Sequence, residues 1–344
     1  MCKEIRICST RIRYNAQTQN NDKPQSKKRR IQKMPTNFTT PFSISVPATS
    51  ANLGPGLDVL GLSLDFRNEF SLHPASATSI EIYGEGEGVK RFIVDNMFVK
   101  VFYKTIRMLN EEYAKGKAQP QYRFVFHNKI PISRGMGSSS AIIIGAISAA
   151  YRALGLQLDR ESIVQKALSY EPHPDNITPA TFGGLNVAML GDGKDRGKVF
   201  HIKHNMPSYL RAIMVIPQRS TSTKISRQSL PKKYNFNDAV YNLSHASLLV
   251  ASIMQEKWDL VRQASKDRFH QERRMRSTPV LFAVQKCALE NGAILSTLSG
   301  SGSSFLSLCL EDDAKRLFGA LSAKFGKLRV VEMGLDNEGI KPEK

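Results

Sequence analysis

A loop of glycines and serines that runs directly into an apolar helix constrains the fold of this chain more than any other feature. The loop is Gly135-Met136-Gly137-Ser138-Ser139-Ser140, and Pro131 and Arg134 precede it. The following stretch, Ala141–Leu154, is apolar on all sides, so a helix there must be enclosed by other elements. Gly155 is of the residue type that commonly ends a helix. The sequence therefore predicts a buried helix that begins at a Gly/Ser loop.

The same loop has the composition of a phosphate-binding site. Glycines adopt positive φ and let a ligand approach the backbone closely. The unpaired N–H groups at a helix N-terminus favour phosphate, and serine hydroxyls can add a ligand to Mg²⁺. No Gly-Lys-Ser or Gly-Lys-Thr is present, so this is not a Walker loop. On this pattern alone, phosphate binding and a plain helix cap remain equally open.

A second polar cluster lies in Glu171-Pro172-His173-Pro174-Asp175-Asn176. The two prolines predict a rigid, non-helical turn that presents four polar side chains; the alternative is a helix entry with Asp175 or Asn176 as the cap. A zinc site is disfavoured because no second Cys or His pair lies at a suitable spacing. Mg²⁺ bridging the Glu171 carboxylate and a phosphate fits this composition better.

The formal net charge of +19 raises the question of nucleic-acid binding. Ten of the 49 lysines and arginines fall in residues 1–33, including the run Lys27-Lys28-Arg29-Arg30. Many nucleic-acid-binding surfaces interleave aromatic residues with basic ones, and this run contains none. We therefore expect residues 1–37 to be a basic, disordered extension, with Met34 as a possible start of the working protein. A nucleic-acid-binding arm is the alternative.

The remaining bulk features exclude several classes of protein. No apolar run approaches the roughly 20 residues needed to cross a bilayer, and the first residues do not resemble a signal peptide. The four cysteines, Cys2, Cys8, Cys287 and Cys309, show no metal-ligand spacing and are too few for a disulfide scaffold. We expect a cytoplasmic protein that is not embedded in a membrane.

Strand and helix patterns mix without a regular βαβ rhythm, which predicts an α+β fold of two domains. Period-two alternation predicts strands at Tyr122–Phe126 and around Ile80–Ile82, and Asp95-Asn96 is typical of a helix N-cap. Gly84–Gly88 is acidic and is interpreted as a plain loop. The polar stretch Gly191–Ser208 separates two apolar strands, so we place the domain boundary there, giving domains 38–205 and 206–344.

Four motifs in a fixed order carry a resemblance to a known family. They are Val46–Gly56 followed by Asp58, the loop 131–141, His173-Pro174-Asp175-Asn176, and the Gly-rich turn Leu298–Ser304. Together they resemble the GHMP kinases. Ser222-Thr223-Lys224 with Arg227, and Asp267–Gln271 with Arg274, are similar to the homoserine kinases within that family. The resemblance covers about residues 42 to 335; Met136, Leu57, Ser303 and Pro172 are small departures from the usual pattern.

The resemblance implies a two-domain GHMP kinase fold. It consists of an N-terminal ATP-binding domain and a C-terminal α/β sandwich (ferredoxin-like) domain, with the active site in the cleft between them. It also implies ATP-dependent phosphorylation of the L-homoserine hydroxyl, with ATP and Mg²⁺ as cofactors, and a homodimer.

Matching positions imply the roles of individual residues. The substrate-binding positions are Asn52, Asp58, His173, Asn176, Thr223, Arg227 and Arg274, with Asp58 near the ammonium and the two arginines near the carboxylate. The ATP-binding positions are Asn96, Pro131, Arg134, Gly135, Met136, Gly137, Ser138, Ser139, Ser140 and Ala141, and Ser139 and Glu171 are the Mg²⁺ positions.

Four residues are candidates for the catalytic step: Asn176, His173, Asp175 and Arg227. Asp175 is the nearest carboxylate to the motif, but a loose phosphoryl-transfer transition state does not require a strong base. We expect orientation by Asn176 and His173 to matter more. The alternative enzyme assignment is another GHMP kinase acting on mevalonate, a sugar or shikimate. Two arginines are suited to a carboxylate and of little use to a sugar, which favours homoserine.

Overall fold

The computed structural model describes residues 40–111, 115–116 and 119–343. The predicted extension 1–37, with its Lys27–Arg30 run, lies outside the described residues. Within the described part of the chain, no helix is long and apolar enough to span a bilayer.

Two sheets organise the described residues. The first has seven strands: β1 Phe42–Ala51, β2 Leu60–Pro74, β3 Ser79–Gly84, β4 Tyr122–Asn128, β5 Leu185–Leu190, β6 Val199–His204 and β11 Lys341–Glu343. The second has four: β7 Leu210–Ile216, β8 Leu295–Leu298, β9 Phe305–Leu310 and β10 Arg329–Met333. The first sheet runs β11-β1-β2-β4-β3, with β5 joining β2 to β6, and the second runs β10-β7-β9-β8. Only the β3–β4 pair is parallel among these strands.

Helices connect and cover the sheets. They are α1 Lys90–Val94, α2 Met97–Leu109, α3 Ser138–Ala153, α4 Arg160–Ala167, α5 Pro174–Phe182, α6 Thr223–Gln228, α7 Phe236–Met254, α8 Trp258–Ala264, α9 Gln271–Met275, α10 Val280–Glu290 and α11 Glu311–Lys324. The mixture of helices and mainly antiparallel strands confirms the predicted α+β class.

Helix α3 is the buried helix that the sequence predicts. It begins at Ser138, three residues before the predicted start, and 13 of its 16 residues are buried. Leu154 ends it, and Gly155 follows with a φ of +63°. Because the helix lies against β1, α2 and α5, its first turn is held at a fixed point of the fold.

The second sheet shares the core of the first. Along β7, alternate side chains point to opposite faces: Leu210, Ala212 and Met214 join the large core that also contains α3. Ile213 and Val215 instead join a smaller core formed with α10 and α11. The two predicted domains are therefore packed through a continuous apolar core.

The region predicted to be a polar linker contains a strand. Within Gly191–Ser208, β6 pairs antiparallel with β5 at the edge of the first sheet. Its alternation of exposed and half-buried side chains is typical of an edge strand, and such a strand gives only a weak apolar signal. The predicted boundary after residue 205 falls between β6 and β7, while β11 returns to pair with β1. The position of that boundary remains a prediction.

The predicted non-helical turn at 171–176 is wrong in its second half. Helix α5 begins at Pro174, so Asp175 and Asn176 lie in its first turn, and His173 occupies the N-cap position. Proline is favoured at the first helical position because its missing N–H would have no partner there. The alternative of a helix entry was correct, although His173 replaces Asp175 or Asn176 as the cap.

Candidate active site

The turn between β1 and β2 is held in an uncommon backbone conformation. Asn52, Leu53, Gly54 and Asp58 have φ values of +74°, +46°, +91° and +61°. Positive φ is costly for non-glycine residues and is most often found at functional sites. The Asn52 side chain stabilises the turn, because its Nδ2 donates to the Gly300 carbonyl (2.9 Å) and its Oδ1 accepts from the Asp58 N–H (3.0 Å). Asn52 thus fixes the position of Asp58.

Asp58 and Arg227 form a bidentate ion pair. Nη1 and Nη2 of Arg227 donate to the two carboxylate oxygens of Asp58 at 2.9 and 2.7 Å. Partial burial raises the pKa of Asp58, but the hydrogen bond and charge of Arg227 outweigh burial, so this pKa lies below its usual value. Both side chains remain about one-third exposed. The predicted ammonium-binding and carboxylate-binding residues therefore neutralise each other in the free protein.

Arg274 is a second guanidinium beside this pair. Its side chain is buried, and its Nη1 donates to His270 Nδ1 and to the Gly300 carbonyl, each at 3.2 Å. Its Nε has no hydrogen-bond partner, and among the described residues no carboxylate forms an ion pair with it. Burial, and then the charge of Arg227, lower its pKa. A buried cation with unused donors is a site for an anionic ligand.

Four residues of the segment 171–176 form hydrogen bonds with one another or with strand β1. Nδ1 of His173 lies 2.7 Å from Oε1 of Glu171, and that hydrogen bond raises the pKa of His173. Asn176 Oδ1 accepts from the Thr49 hydroxyl (2.8 Å), and its Nδ2 donates to Asp175 (3.2 Å). The orientation of the Asn176 amide is thereby fixed.

Asp175 is a buried carboxyl group that forms no ion pair with any residue in the described part of the chain. Burial, followed by the negative charge of Asp58, raises its pKa to about 7. A carboxylate that must be desolvated in this way is held protonated over much of the acidic range. Asp175 is therefore poorly suited to remain a charged base beside Asp58.

The Gly/Ser loop is braced from two sides. A Cβ on Gly135 would lie 2.1 Å from the Ser299 carbonyl oxygen, and one on Gly137 would lie 1.9 Å from Thr49 Oγ1. Both glycines have positive φ, at +77° and +70°. The Ser299 hydroxyl donates to the Gly135 carbonyl at 2.7 Å. The late Gly-rich turn thus supports the loop, which explains why both motifs need small residues.

Helix α3 presents free donors at its first turn. Gly137 is the N-cap and offers no side-chain acceptor, and the first N–H bonded back along the helix is that of Ala141. Oriented N–H groups at a helix N-terminus stabilise an anion. Arg134, by contrast, donates to the backbone carbonyls of Ile132, Pro217 and Gln218. Its bonds position the chain that leads into the loop.

A cavity of about 390 Å³ brings nearly all of the predicted site residues together. Those that line it are Asn52, Asp58, Asn96, Arg134, Gly135, Gly137, Ser138, Ser139, Ser140, Glu171, His173, Asp175, Asn176, Thr223, Arg227 and Arg274. Pro131, Met136 and Ala141 are buried and lie outside the lining. Met136 still contributes its backbone, because its carbonyl accepts the Thr49 N–H. The lining residues come from strands of the first sheet, from helices, and from connecting segments that include the turn between β8 and β9.

Comparison with known proteins assigns the chain to a family. Residues 100–184 match the GHMP kinases N terminal domain, and residues 247–327 match the GHMP kinases C terminal model. A homoserine kinase of Helicobacter pylori is 54% identical over 301 residues, which cover 88% of this chain and 99% of that protein. The homoserine kinase of Wolinella succinogenes is 53% identical over 299 residues, 87% of this chain and 99% of the relative. The chain belongs to the homoserine kinase group of the GHMP kinases.

Solved structures agree on the fold of this GHMP kinase chain. The crystal structure of homoserine kinase from Cytophaga hutchinsonii matches with a TM-score of 0.75 at 23% identity, over 88% of this chain and 97% of that one. A mevalonate diphosphate decarboxylase from Enterococcus faecalis matches with a TM-score of 0.61 at 15% identity, over 88% of this chain and 99% of that one. The two-domain GHMP kinase fold predicted from sequence is confirmed.

Sequence reasoning missed the apolar part of this GHMP kinase cavity. Several strand and helix residues line it beside Asn96: Phe70, Ile82, Phe92, Met97, Phe98, Phe126, Ile132 and Ile142. In the sequence such residues cannot be told from ordinary core residues. The acidic loop 84–88 was interpreted as plain, yet Glu85 lines the cavity and accepts the Ile132 N–H at 3.3 Å. Arg91, Asp95, Asn128, Ser133, Gly300 and Ser301 complete the lining.

Proposed function

We propose that this protein transfers the γ-phosphoryl group of ATP to the side-chain hydroxyl of L-homoserine, giving O-phospho-L-homoserine and ADP. One observation carries this proposal: two guanidinium groups and one carboxylate, from Arg227, Arg274 and Asp58, line the same cavity as an uncapped helix N-terminus. The three charged side chains are complementary to a zwitterion, and the helix N-terminus is complementary to phosphate. The homoserine kinase relatives support the same substrate.

The amino-acid part of the site explains the choice of substrate. Arg274 has unused donors for a carboxylate, and Arg227 can present its guanidinium edge to the same group once it turns from Asp58. Asp58 then has a free carboxylate for the ammonium group. Mevalonate, a sugar and shikimate lack one or both of these charges, so they would leave Asp58, or the two arginines, without the partner that homoserine provides, at a cost in affinity.

The nucleotide is assigned to the other side of the Gly/Ser loop. The apolar side chains beside Asn96, among them Ile82 and Met97, suit the flat base of a nucleotide. The N–H groups of the first turn of α3 would then receive the phosphates. Asn96 caps α2 by accepting the Val99 N–H. It would contribute to nucleotide binding by placing Met97, the next residue, at the cavity wall.

The donor set fits Mg²⁺. Glu171 lines the cavity with Ser138 and Ser139, and His173 is the described side chain that contacts its carboxylate. One carboxylate, a hydroxyl and phosphate oxygens form the hard oxygen set that Mg²⁺ prefers. Ser139 and Glu171 would hold the ion, which supplies charge neutralisation between the phosphates when it is bound. His173 keeps the Glu171 carboxylate oriented toward the loop.

Transfer then depends mainly on alignment. Asn176 is locked by Thr49 and Asp175, so its amide can orient the substrate hydroxyl without moving a proton. Arg227 adds positive charge near the reacting groups. With a loose transition state, positioning and charge neutralisation supply most of the rate enhancement. The hydroxyl proton can pass to an oxygen of the transferred phosphoryl group and then to water. Asp175 is assigned to support the Asn176 amide.

A substrate panel tests the proposed function. ADP release is measured with L-homoserine, mevalonate, galactose and shikimate at equal concentration, with ATP and Mg²⁺ in excess. We expect release above background with homoserine and at least about 100-fold less with the others, since each leaves charged groups unpaired. Equal rates with homoserine and any other compound, or no release with homoserine, would contradict the assignment.

Two further assignments belong to this proposal. We place the enzyme in the cytoplasm, where ATP and amino acids are available, and we propose that it acts as a homodimer. The homodimer is tested by light scattering at micromolar concentration, where a mass near 38 kDa would contradict it.

A further inference from the structure

We propose that His270 is a positioning residue for the substrate carboxylate: as a neutral imidazole it fixes the guanidinium of Arg274 to the turn that carries Asn52 and Asp58. His270 does not line the cavity, so its side chain would not contact the substrate directly. Its effect passes through Arg274, which does line it.

Hydrogen-bond geometry alone defines the state of the ring. Nδ1 of His270 lies 3.2 Å from Nη1 of Arg274, and a guanidinium can only donate, so Nδ1 must be an acceptor. Nε2 lies 2.8 Å from the Gly54 carbonyl, which can only accept, so Nε2 must carry the hydrogen. His270 is therefore neutral and held in a single tautomer. Its near-complete burial, which lowers its pKa, agrees with this state.

The contacts of His270 close a ring of hydrogen bonds around the amino-acid part of the site. Gly54 accepts from His270, His270 accepts from Arg274, and Arg274 donates to the Gly300 carbonyl. The Gly300 carbonyl also accepts from Asn52, which lies two residues before Gly54. Three segments that are distant in the sequence are thereby tied together at the carboxylate-binding face.

Asp267 anchors the other side of this ring. Its carboxylate accepts the backbone N–H groups of Phe269, His270 and Gln271 at 2.7–2.9 Å. It also accepts from Asn242 of helix α7 at 2.8 Å. The His270 backbone is thus fixed independently of its side chain. Substitution at His270 therefore removes the link to Arg274 without removing the support of the loop itself.

Two amide variants separate the two hydrogen bonds of the His270 side chain, one to Arg274 and one to Gly54. In His270→Asn the amide oxygen takes the place of Nδ1 and can still accept from Arg274, while the bond to Gly54 is lost. In His270→Gln the amide nitrogen takes the place of Nε2 and can still donate to Gly54, while the bond to Arg274 is lost. His270→Phe removes both bonds.

The readout is KM for homoserine against KM for ATP, together with thermal stability. We expect His270→Phe and His270→Gln to raise KM for homoserine about 10-fold, as for the loss of one hydrogen bond to a charged group. KM for ATP should stay within about twofold of the wild-type value in all three variants. His270→Asn should restore most of the homoserine affinity. Val284→Ala, in the smaller core behind the second sheet, is the stability-matched control and should leave both KM values unchanged.

Several outcomes test the positioning role of His270. An unchanged homoserine KM in His270→Gln, or equal rises for homoserine and ATP, overturns the positioning role. If His270→Phe does not fold, the Asn and Gln variants decide it. The role of His270 rests on the proposed function, and the wild-type assay separates the two. If wild-type protein releases no ADP with homoserine, the function itself has failed; if it does while the variants match it, only the role of His270 has failed.

Discussion

At the residue scale, the ion pair between Asp58 and Arg227 is the central observation. Homoserine carries the same two charges, so under the proposed assignment the substrate would replace each residue of this pair as the partner of the other. A pair that solvent partly screens in this way contributes little to stability. The pair is therefore easily exchanged for the substrate, and mutations of it should affect binding more than folding.

Arg227→Ala tests that assignment. We expect KM for homoserine to rise roughly 10- to 100-fold, the usual effect of losing charged hydrogen bonds, with KM for ATP changed less than about twofold. The measurement is steady-state ADP release with each substrate varied in turn. Arg268→Ala is the matched control, because Arg268 pairs with Asp238 outside the cavity. Equal losses for homoserine and ATP would contradict substrate clamping by Arg227.

Asp175 gives a pH-dependent prediction. Its folded pKa of about 7 exceeds the unfolded value of 3.8, so the folded state binds more protons between these two pH values. Its ionisation therefore lowers the stability of the wild type as pH rises through this window. We expect Asp175→Asn to unfold at a higher temperature than wild type at pH 8, by an amount equivalent to at most about 4 kcal/mol.

The control is the pH dependence of the difference in thermal stability between Asp175→Asn and wild type. Between pH 8 and pH 5 the advantage of the variant should shrink, because the wild-type carboxyl becomes protonated. Thermal melts of both proteins across this range provide the measurement. A variant that is equally stabilised at every pH, or is less stable than wild type at pH 8, would show that the carboxyl is ionised without penalty.

At the element scale, the Gly/Ser loop depends on the absence of Cβ atoms. Gly137→Ala places a Cβ 1.9 Å from Thr49 Oγ1 at a φ of +70°, so the loop must shift at the first turn of α3. We expect ATP affinity to fall at least about 10-fold, since several phosphate contacts lose alignment together. The measurement is calorimetric titration of the folded variant with an ATP analogue.

Gly319→Ala is the matched control for this loop. Gly319 lies within α11 with open space around it, so alanine there should be neutral or stabilise the helix by about 0.5–1 kcal/mol. Its ATP affinity should equal that of the wild type. If Gly137→Ala bound the analogue as tightly as Gly319→Ala, the strained loop would not be the phosphate site.

The sequence predicts some of these elements closely and misses others. Helix α3 and strand β4 were predicted to within three residues at either end, because a long apolar run and a clear period-two alternation leave few alternatives. Strand β2, the longest of the described strands, was not predicted, because charged residues and a bulge opposite Pro47 and Ala48 interrupt its alternation. Most of the polar residues that line the cavity were named from the sequence because their motifs are specific. The apolar side chains beside Asn96 were not, since nothing in the sequence distinguishes a cavity wall from a core.

At the scale of the whole molecule, the two sheets are joined by one apolar core and by the return of β11 to β1. Arg67 strengthens this closure by bonding to Asp336 and to the Gly339 carbonyl. We therefore expect residues 40–343 to unfold as one cooperative unit. Trp258, the single tryptophan of the chain, lies in the second half of the sequence and reports on it by fluorescence.

Coincident transitions would confirm this cooperativity. The midpoint from Trp258 fluorescence in a denaturant titration should equal the midpoint from far-ultraviolet circular dichroism, which reports on both halves. Two separated midpoints would show that the shared core does not couple the domains.

We infer that the cavity selects a zwitterion by its two charges. The most direct measurement is kcat/KM for L-homoserine beside two truncated analogues, 3-aminopropan-1-ol, which lacks the carboxylate, and 4-hydroxybutanoate, which lacks the amine. We expect each analogue to be phosphorylated at least about 100-fold less efficiently, because each leaves Arg227 and Arg274, or Asp58, without a partner. If either analogue reacted with an efficiency near that of homoserine, the three charged residues would not be the substrate clamp.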